Sequence, residues 1–214
     1  MDGASVKNLE PEVVETLMEI GNVGMGKATA VLGKMLETRI SVDISNVLPA
    51  SAMALSTAFS SNEEMIGVLL GFTNDLLGAT LFVVKKDFAK KLLRQIVTDE
   101  EYNDNLFIIN EDSVSAIQEV ANIMMSSYLS AISKYTDFKI WLEAGMVCID
   151  PIKDMLLYPI TRLENYDENK NICVESTFSV CNDDMKIDES AQGHIFFFPE
   201  SDSLKKLINE LNSI

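Results

Sequence analysis

The sequence has few of the residues from which metal sites and catalytic triads are built. Its 214 residues include one histidine, His194, and three cysteines, Cys148, Cys173 and Cys181, which show no Cys-x-x-Cys spacing. A zinc site usually takes four Cys or His ligands, and a Ser/His/Asp or Cys/His set needs a histidine beside its nucleophile. We therefore expect neither a zinc centre nor a nucleophilic triad, and we expect His194 to be a structural histidine with satisfied hydrogen bonds.

The chain also has few basic residues relative to acidic ones, and it has no long apolar run. It carries 17 basic against 33 acidic residues, a net charge of −16, which disfavours binding to nucleic acid or to an anionic membrane. A partner that presents lysines or arginines would suit this charge, and so would a surface that is merely solubilising. No apolar run approaches the roughly 20 residues of a membrane span, and no basic region with an apolar core opens the sequence. We expect a cytoplasmic protein with reduced cysteines.

A glycine-rich stretch, residues 21–28, nearly matches the phosphate-binding pattern GxxxxGK[ST]. Ala28 stands where that pattern needs the hydroxyl that holds magnesium. A phosphate-binding loop also follows a strand, whereas this stretch follows an amphipathic helical segment. The sequence therefore disfavours a nucleotide hydrolase, a possibility that a nucleotide-binding titration would test. The glycines are better explained by close packing of helices.

One polar pattern occurs twice, a hundred residues apart. The pattern polar-x-x-x-Glu-x-x-Asn consists of Glu15, Glu19 and Asn22 in the first copy and of Ser115, Glu119 and Asn122 in the second. In a helix, positions i, i+4 and i+7 lie within about 60° of one another, so each copy forms one polar stripe. The next position along each stripe is small, Gly26 or Ser126. Apolar residues on the opposite side predict that each helix buries one face and displays the Glu, the Asn and free space beside them.

An asparagine in the middle of a helix requires an explanation, because asparagine is a mediocre helix former. Its carboxamide has a donor and an acceptor, so it can hold a water molecule in place, and a glutamate one turn away could accept a partner's lysine. The alternative is that exposed helical faces carry polar residues by default and that an old duplication preserved them passively. Repetition at matching places favours the functional interpretation.

The order of predicted elements is similar in the two parts of the chain. Helices are predicted at residues 11–36, with a possible kink near Gly21, and at 87–97, 111–135 and 202–211. Strands are predicted at residues 39–48, 51–59, 64–72, 79–84, 138–149, 155–160, 172–180 and 195–198. Trp141 is expected to be buried or half-buried in its strand.

A repeat of about a hundred residues accounts for this order, since each part opens with a long helix and closes with a strand and a helix. The predicted fold class is α/β, internally duplicated and pseudo-twofold, with a central β-sheet flanked by long helices. The first half covers residues 1–105 and the second 106–214, with the junction at 98–105, and the halves form one compact pseudo-symmetric domain.

At the repeated pattern, the sequence resembles the CheC family of chemotaxis proteins, the group that contains CheC, CheX and FliY. The family signature is [Asp/Ser]-x-x-x-Glu-x-x-Asn followed some two dozen residues later by proline, present twice. Residues 19–24 and 119–122 are similar to the two motifs, Pro49 supplies a downstream proline, and the resemblance covers most of the chain. Position 15 departs from the signature, since it is Glu, and the second copy has Gly145 near the place of the proline.

The resemblance implies a phosphatase that hydrolyses the aspartyl phosphate of the response regulator CheY. By carry-over, Asn22 and Asn122 would orient the attacking water, and Glu19 and Glu119 would contact the active-site lysine of CheY. No cofactor of the protein's own is implied, and magnesium would come with CheY. A second reading is also implied, because the fold is similar to the middle domain of the flagellar switch protein FliM and CheC proteins bind the receptor deamidase CheD. That reading is a non-catalytic adaptor or switch-like module.

Overall fold

The computed structural model describes residues 10–43, 45–96, 111–163, 171–181 and 187–211. Within these ranges the chain forms seven helices and eight strands. The helices are α1 (Pro11–Met35), α2 (Ala52–Ala58), α3 (Lys86–Ile96), α4 (Glu111–Thr136), α5 (Ile152–Met155), α6 (Leu157–Arg162) and α7 (Ser201–Leu211). The strands are β1 (Ile40–Val42), β2 (Asn46–Pro49), β3 (Glu64–Asn74), β4 (Gly78–Lys85), β5 (Ile140–Leu142), β6 (Met146–Pro151), β7 (Ile172–Cys181) and β8 (Ile187–Pro199).

The strands form one antiparallel sheet in the order β1-β7-β8-β4-β3-β5, in which β2 also pairs with β7 and β6 also pairs with β3. The arrangement has the same form from either edge: two short strands flank a long hairpin, and the hairpins β3–β4 and β7–β8 join through β4 and β8. Strands β1 and β2 pair with β7, and β5 and β6 pair with β3, so each pair of short strands bonds to the hairpin of the other part of the chain. The predicted α/β fold with a central sheet flanked by long helices is therefore confirmed.

The duplication and the boundary between residues 105 and 106 remain predictions. The predicted junction at 98–105 lies outside the described residues, as does that boundary.

Helices cover both faces of the sheet. Helices α1, α3, α4 and α7 share one core with apolar residues such as Val68, Phe82 and Phe197 of the strands. On the other face, α2, α5 and α6 share a second core with Leu81 and Phe196. Successive side chains of a strand point to opposite faces, which is why Phe196 and Phe197 enter different cores. Strands β3 and β4 are buried on both faces, as their continuous apolar sequences predict.

The two long helices, α1 and α4, pack against each other through a glycine. A Cβ placed on Gly24 would lie 2.8 Å from Cδ2 of Tyr128, so the absence of a side chain lets the tyrosine ring lie on the α1 backbone. Helix α1 is one continuous helix through Gly21, Gly24 and Gly26, and the kink near Gly21 remains a prediction. Tyr135, near the end of α4, is 45% exposed.

Several predicted strands take another form. Residues 51–59 contain helix α2, because Ser51 caps it by accepting a bond from the Ala54 N–H (3.2 Å) and the alanines that follow favour a helix. Residues 155–160 lie in α5 and α6, where Pro159 falls in the first turn of α6 and loses no helical bond there. The strands predicted at 39–48 and 138–149 are each split into two short strands.

Trp141 lies in strand β5, as predicted, but its predicted burial is wrong. Its side chain is 65% exposed. Strand β5 is at the edge of the sheet. Ile140 and Leu142, the residues on either side of Trp141, pack on the core that contains α1 and α4, so the Trp141 side chain points to the opposite face of the sheet.

Candidate functional site

The first polar stripe lies on the solvent side of α1. Glu15 and Glu19 are exposed, and Asn22 is half-buried at the same side of the helix. Gly26, one turn further on, is exposed, and no atom lies within 4 Å of the position that its Cβ would occupy. The α1 stripe therefore consists of two exposed carboxylates, a partly sheltered carboxamide and open space beside it.

The second polar stripe, on α4, has the same exposure. Ser115, Glu119 and Ser126 are exposed and Asn122 is half-buried. The match extends further, because residues 11–30 and 111–130 are buried, half-buried or exposed in the same order at all twenty positions. The structure therefore displays each Glu/Asn pair as the sequence pattern predicts. The roles assigned to Glu19, Asn22, Glu119 and Asn122 remain predictions.

Asn22 is held by the connection between β1 and β2. Its Oδ1 accepts a hydrogen bond from the backbone N–H of Ser45 at 2.7 Å. The Oγ atom of Ser45 lies 2.5 Å from Oγ of Ser176 on β7, and both serines are fully buried. Ser176 in turn hydrogen-bonds Tyr128 of α4, whose pKa is raised far above its usual value by burial. A polar chain thus connects Asn22 with the sheet and with the second long helix.

The connection between β5 and β6 is held differently. Gln118 of α4 donates from Nε2 to the carbonyl oxygen of Gly145 at 2.8 Å, between β5 and β6. The side chain of Asn122 makes no hydrogen bond to any residue within the described ranges. The two Glu/Asn pairs are therefore equally exposed but differently constrained.

Sequence reasoning missed Ser45, Ser176 and Gln118. One signal was present: the residue before the asparagine is Gly21 in one copy and Ala121 in the other. A Cβ on Gly21 would lie 2.7 Å from Oγ of Ser45, so glycine is what lets the serine approach α1. A sequence pattern cannot reveal this pairing, because Ser45 and Ser176 are 131 residues apart.

The lone histidine lies on the other face of the sheet, in a network of its own. His194 Nδ1 is 3.0 Å from Oε1 of Glu175, and Glu175 also accepts from Thr177 (2.5 Å) and Asn46 (3.1 Å). Burial acts to raise the pKa of Glu175, but the hydrogen bonds from His194, Thr177 and Asn46 outweigh it, and the pKa is lowered. The prediction of a satisfied structural histidine is confirmed.

A shallow groove of about 270 Å³ lies on that same face, lined by residues that include Leu69, Met146, Cys148 and Tyr158. Burial, together with the charge of Asp150, raises the pKa of Cys148 to about 11. The thiol is thus un-ionised near neutral pH, which makes it a poor nucleophile.

Other classes of site find little support in the structure. Residues 21–28 lie inside continuous α1 and not in a loop after a strand, so the phosphate-binding loop is contradicted. Among the described residues, His, Cys, Asp and Glu form no group of three or more that could hold a metal ion. In the same part of the chain, every helix is too short or too polar to cross a membrane.

Comparison with known proteins finds a similarity to a known family at the α4 stripe. The model of the CheC-like family matches residues 113–143, which contain Ser115, Glu119 and Asn122. Over 206 residues the chain is 22% identical to the CheY-P phosphatase CheC of Bacillus subtilis (strain 168), covering 96% of each protein.

Solved structures share the fold. The Thermotoga maritima FliY crystal structure matches 96% of this chain and 98% of its own, with a TM-score of 0.64 and 21% identity. The FliM middle domain from H. pylori matches 94% of this chain and 99% of its own, with a TM-score of 0.61 and 6% identity. Together these matches confirm the resemblance identified in the sequence: the chain is similar to CheC over nearly its whole length and to FliY and the FliM middle domain in fold.

Proposed function

We propose that this chain is a phosphatase that hydrolyses the aspartyl phosphate of a CheY-type response regulator. The observation that supports it best is that two Glu/Asn pairs are displayed in the same way. Glu19 and Asn22 on α1 have the same exposure as Glu119 and Asn122 on α4. The relative from Bacillus subtilis, named a CheY-P phosphatase, supports the same reaction. Chemotaxis signalling in the cytoplasm is the setting that this function implies.

The reaction makes modest demands on the enzyme. The carboxamide of Asn22 or Asn122 holds a water in line with the phosphorus; the water oxygen bonds to phosphorus as the bond from phosphorus to the aspartate oxygen breaks. The products are the free carboxylate and inorganic phosphate, and the water's proton leaves with the phosphate or passes to solvent. An acyl phosphate already has a good leaving group, so placing the water supplies most of the catalysis and no general base is needed.

The glutamates serve docking in this proposal. Glu19 and Glu119 are exposed carboxylates three residues before each asparagine, on the same stripe. Each would accept charge-assisted hydrogen bonds from the active-site lysine of the regulator, which places the phosphate beside the asparagine. The regulator would bring its own magnesium ion, so this chain needs none.

The decay rate of phosphorylated CheY tests the proposal. We expect the wild-type protein to accelerate decay, Asn22→Ala and Asn122→Ala each to retain part of that effect, and the double variant to retain none. Lys34→Ala is a matched control, because Lys34 is an exposed α1 residue about 18 Å along the axis from Asn22. A double variant that stays as active as wild type would refute the roles of both asparagines.

A second set of variants tests docking. Gly26→Gln and Ser126→Gln fill the space beside each asparagine without disturbing the core, since both positions are exposed. We expect a higher KM for phosphorylated CheY and no loss of stability, since glutamine has a higher helix propensity than glycine or serine.

The alternative is an adaptor that binds phosphorylated CheY or CheD without hydrolysis, and the likeness to the FliM middle domain favours it. Binding of phosphorylated CheY with no change in its decay rate would select this alternative.

A further inference from the structure

The orientation of the Asn22 carboxamide is determined by its partner. A backbone N–H can only donate, so the atom of Asn22 that faces Ser45 N at 2.7 Å must be the oxygen. The NH₂ group of Asn22 is then the end that remains for a docked partner. A carboxamide without such a partner can turn over and offer either end.

Ser45 is itself fixed from the interior. Its hydroxyl lies 2.5 Å from that of Ser176, and neither side chain is exposed to solvent. Ser176 also bonds the hydroxyl of Tyr128, whose ring lies against Gly24 of α1. This chain of contacts therefore begins at Asn22 of α1 and ends at Gly24 of the same helix. Ser45 is held by Asn22 on one side and by Ser176 on the other.

The second half has none of these groups at the corresponding positions. Gly145 stands where Ser45 stands, and it has no hydroxyl. Ala121 stands in place of Gly21, and the bond to the connection comes from Gln118, which leaves the carboxamide of Asn122 unbonded by described residues. The constraint is a property of the first site alone.

We infer that Ser45 is a positioning residue of the first site, which fixes the Asn22 carboxamide with its NH₂ group turned toward the docked phosphoryl group. Its kinetic consequence rests on the proposed phosphatase function. A carboxamide that is oriented before docking has less conformational freedom to lose when the complex forms. Loss of the Ser45 hydroxyl frees the β1–β2 connection and with it the carboxamide.

The kinetic test separates the two sites. In a protein that keeps only the first pair, through Glu119→Ala and Asn122→Ala, Ser45→Ala should lower kcat about fivefold, the equivalent of one neutral hydrogen bond, and leave KM unchanged. In a protein that keeps only the second pair, through Glu19→Ala and Asn22→Ala, Ser45→Ala should change neither constant. An equal loss in both proteins, or no loss in the first, would overturn the inference.

Ser176→Ala removes the same hydroxyl contact from the other side. It should reproduce the effect of Ser45→Ala in the protein with the first pair alone. A full rate in that variant would mean that Ser45 needs no interior anchor, and the inference would fail.

A spectroscopic readout does not depend on phosphatase activity. In ¹⁵N relaxation measurements on the full chain, the side-chain NH₂ of Asn22, assigned by its loss in Asn22→Asp, should be more ordered than that of Asn122. Ser45→Ala should lower the order of Asn22 and leave Asn122 unchanged. Equal order in the wild type would refute the positioning role of Ser45. If this difference is found but CheY decay is never accelerated, the proposed function has failed and the constraint on Asn22 stands.

Discussion

Alanine substitutions at two glycines of α1 can measure how closely the two long helices pack. At Gly24, an added Cβ would lie 2.8, 3.0 and 3.1 Å from three ring carbons of Tyr128, closer than ordinary van der Waals contact. The ring cannot easily move, because Tyr128 is 1% exposed and its hydroxyl bonds Ser176. At Gly26, two residues along the same helix, the same Cβ would meet no atom within 4 Å.

The two alanine substitutions should therefore differ in their effect on the free energy of unfolding. Each gains about 1 kcal/mol from the higher helix propensity of alanine. Gly24→Ala also overpacks the core, at a cost of about 1–3 kcal/mol, so it should range from neutral to about 2 kcal/mol destabilising. Gly26→Ala should stabilise by nearly the full propensity gain. The difference between the variants, about 1–3 kcal/mol, isolates the clash with Tyr128.

Urea titrations followed by circular dichroism measure this difference directly. Both variants should keep the wild-type slope of free energy against denaturant, so that the midpoints report stability. If Gly24→Ala stabilised the protein as much as Gly26→Ala, the close approach of Tyr128 to α1 would be refuted.

Three further measurements test the fold. Glu37 and Asp137 follow the two long helices with φ of 49° and 54°, so Glu37→Gly and Asp137→Gly should each raise the free energy of unfolding by about 0.5–1 kcal/mol, and an unchanged midpoint would contradict the left-handed turn. The pKa of Glu175 is lowered in the folded state, so its ionised form stabilises the fold above the unfolded value of about 4.3 and this stability is lost as the pH falls through the lower folded pKa. Glu175→Gln should flatten the loss of stability in acid, and parallel pH curves would contradict this. Trp141, the sole tryptophan, should fluoresce like a solvated indole and shift little on unfolding, whereas a large red shift would show it buried.

The amphipathic helices and the buried central strands could be predicted because their signals are local. The periodicity of α1 and α4 and the apolar sequences of β3 and β4 each lie within a few turns or one strand. The Glu/Asn stripes followed from the same periodicity, and so did their exposure. Helix α2 differs from the predicted strand, because an Ala- and Ser-rich segment has weak periodicity and only the cap at Ser51 marks the start of a helix.

The features that the sequence could not predict depend on contacts between distant segments. Burial of Trp141 was predicted from its strand, but exposure was decided by the position of β5 at the edge of the sheet. The bond between Ser45 and Asn22 spans 23 residues, and the bond between Ser45 and Ser176 crosses between the two parts of the chain. No periodicity within one segment carries that information.

The exchange of short strands between the two parts of the chain governs when the protein can fold. Strands β1 and β2 bond only to β7 among the described strands, and Ile40 is opposite Val180 across that pairing. During synthesis at about 5–20 residues per second, β1 must wait roughly 10–30 seconds for its partner to be made. The Ser45–Ser176 contact is delayed for the same reason, so the first site is completed only after β7 has been synthesised. Neither half should fold when it is expressed alone, whereas the two halves produced as separate chains should assemble by complementation.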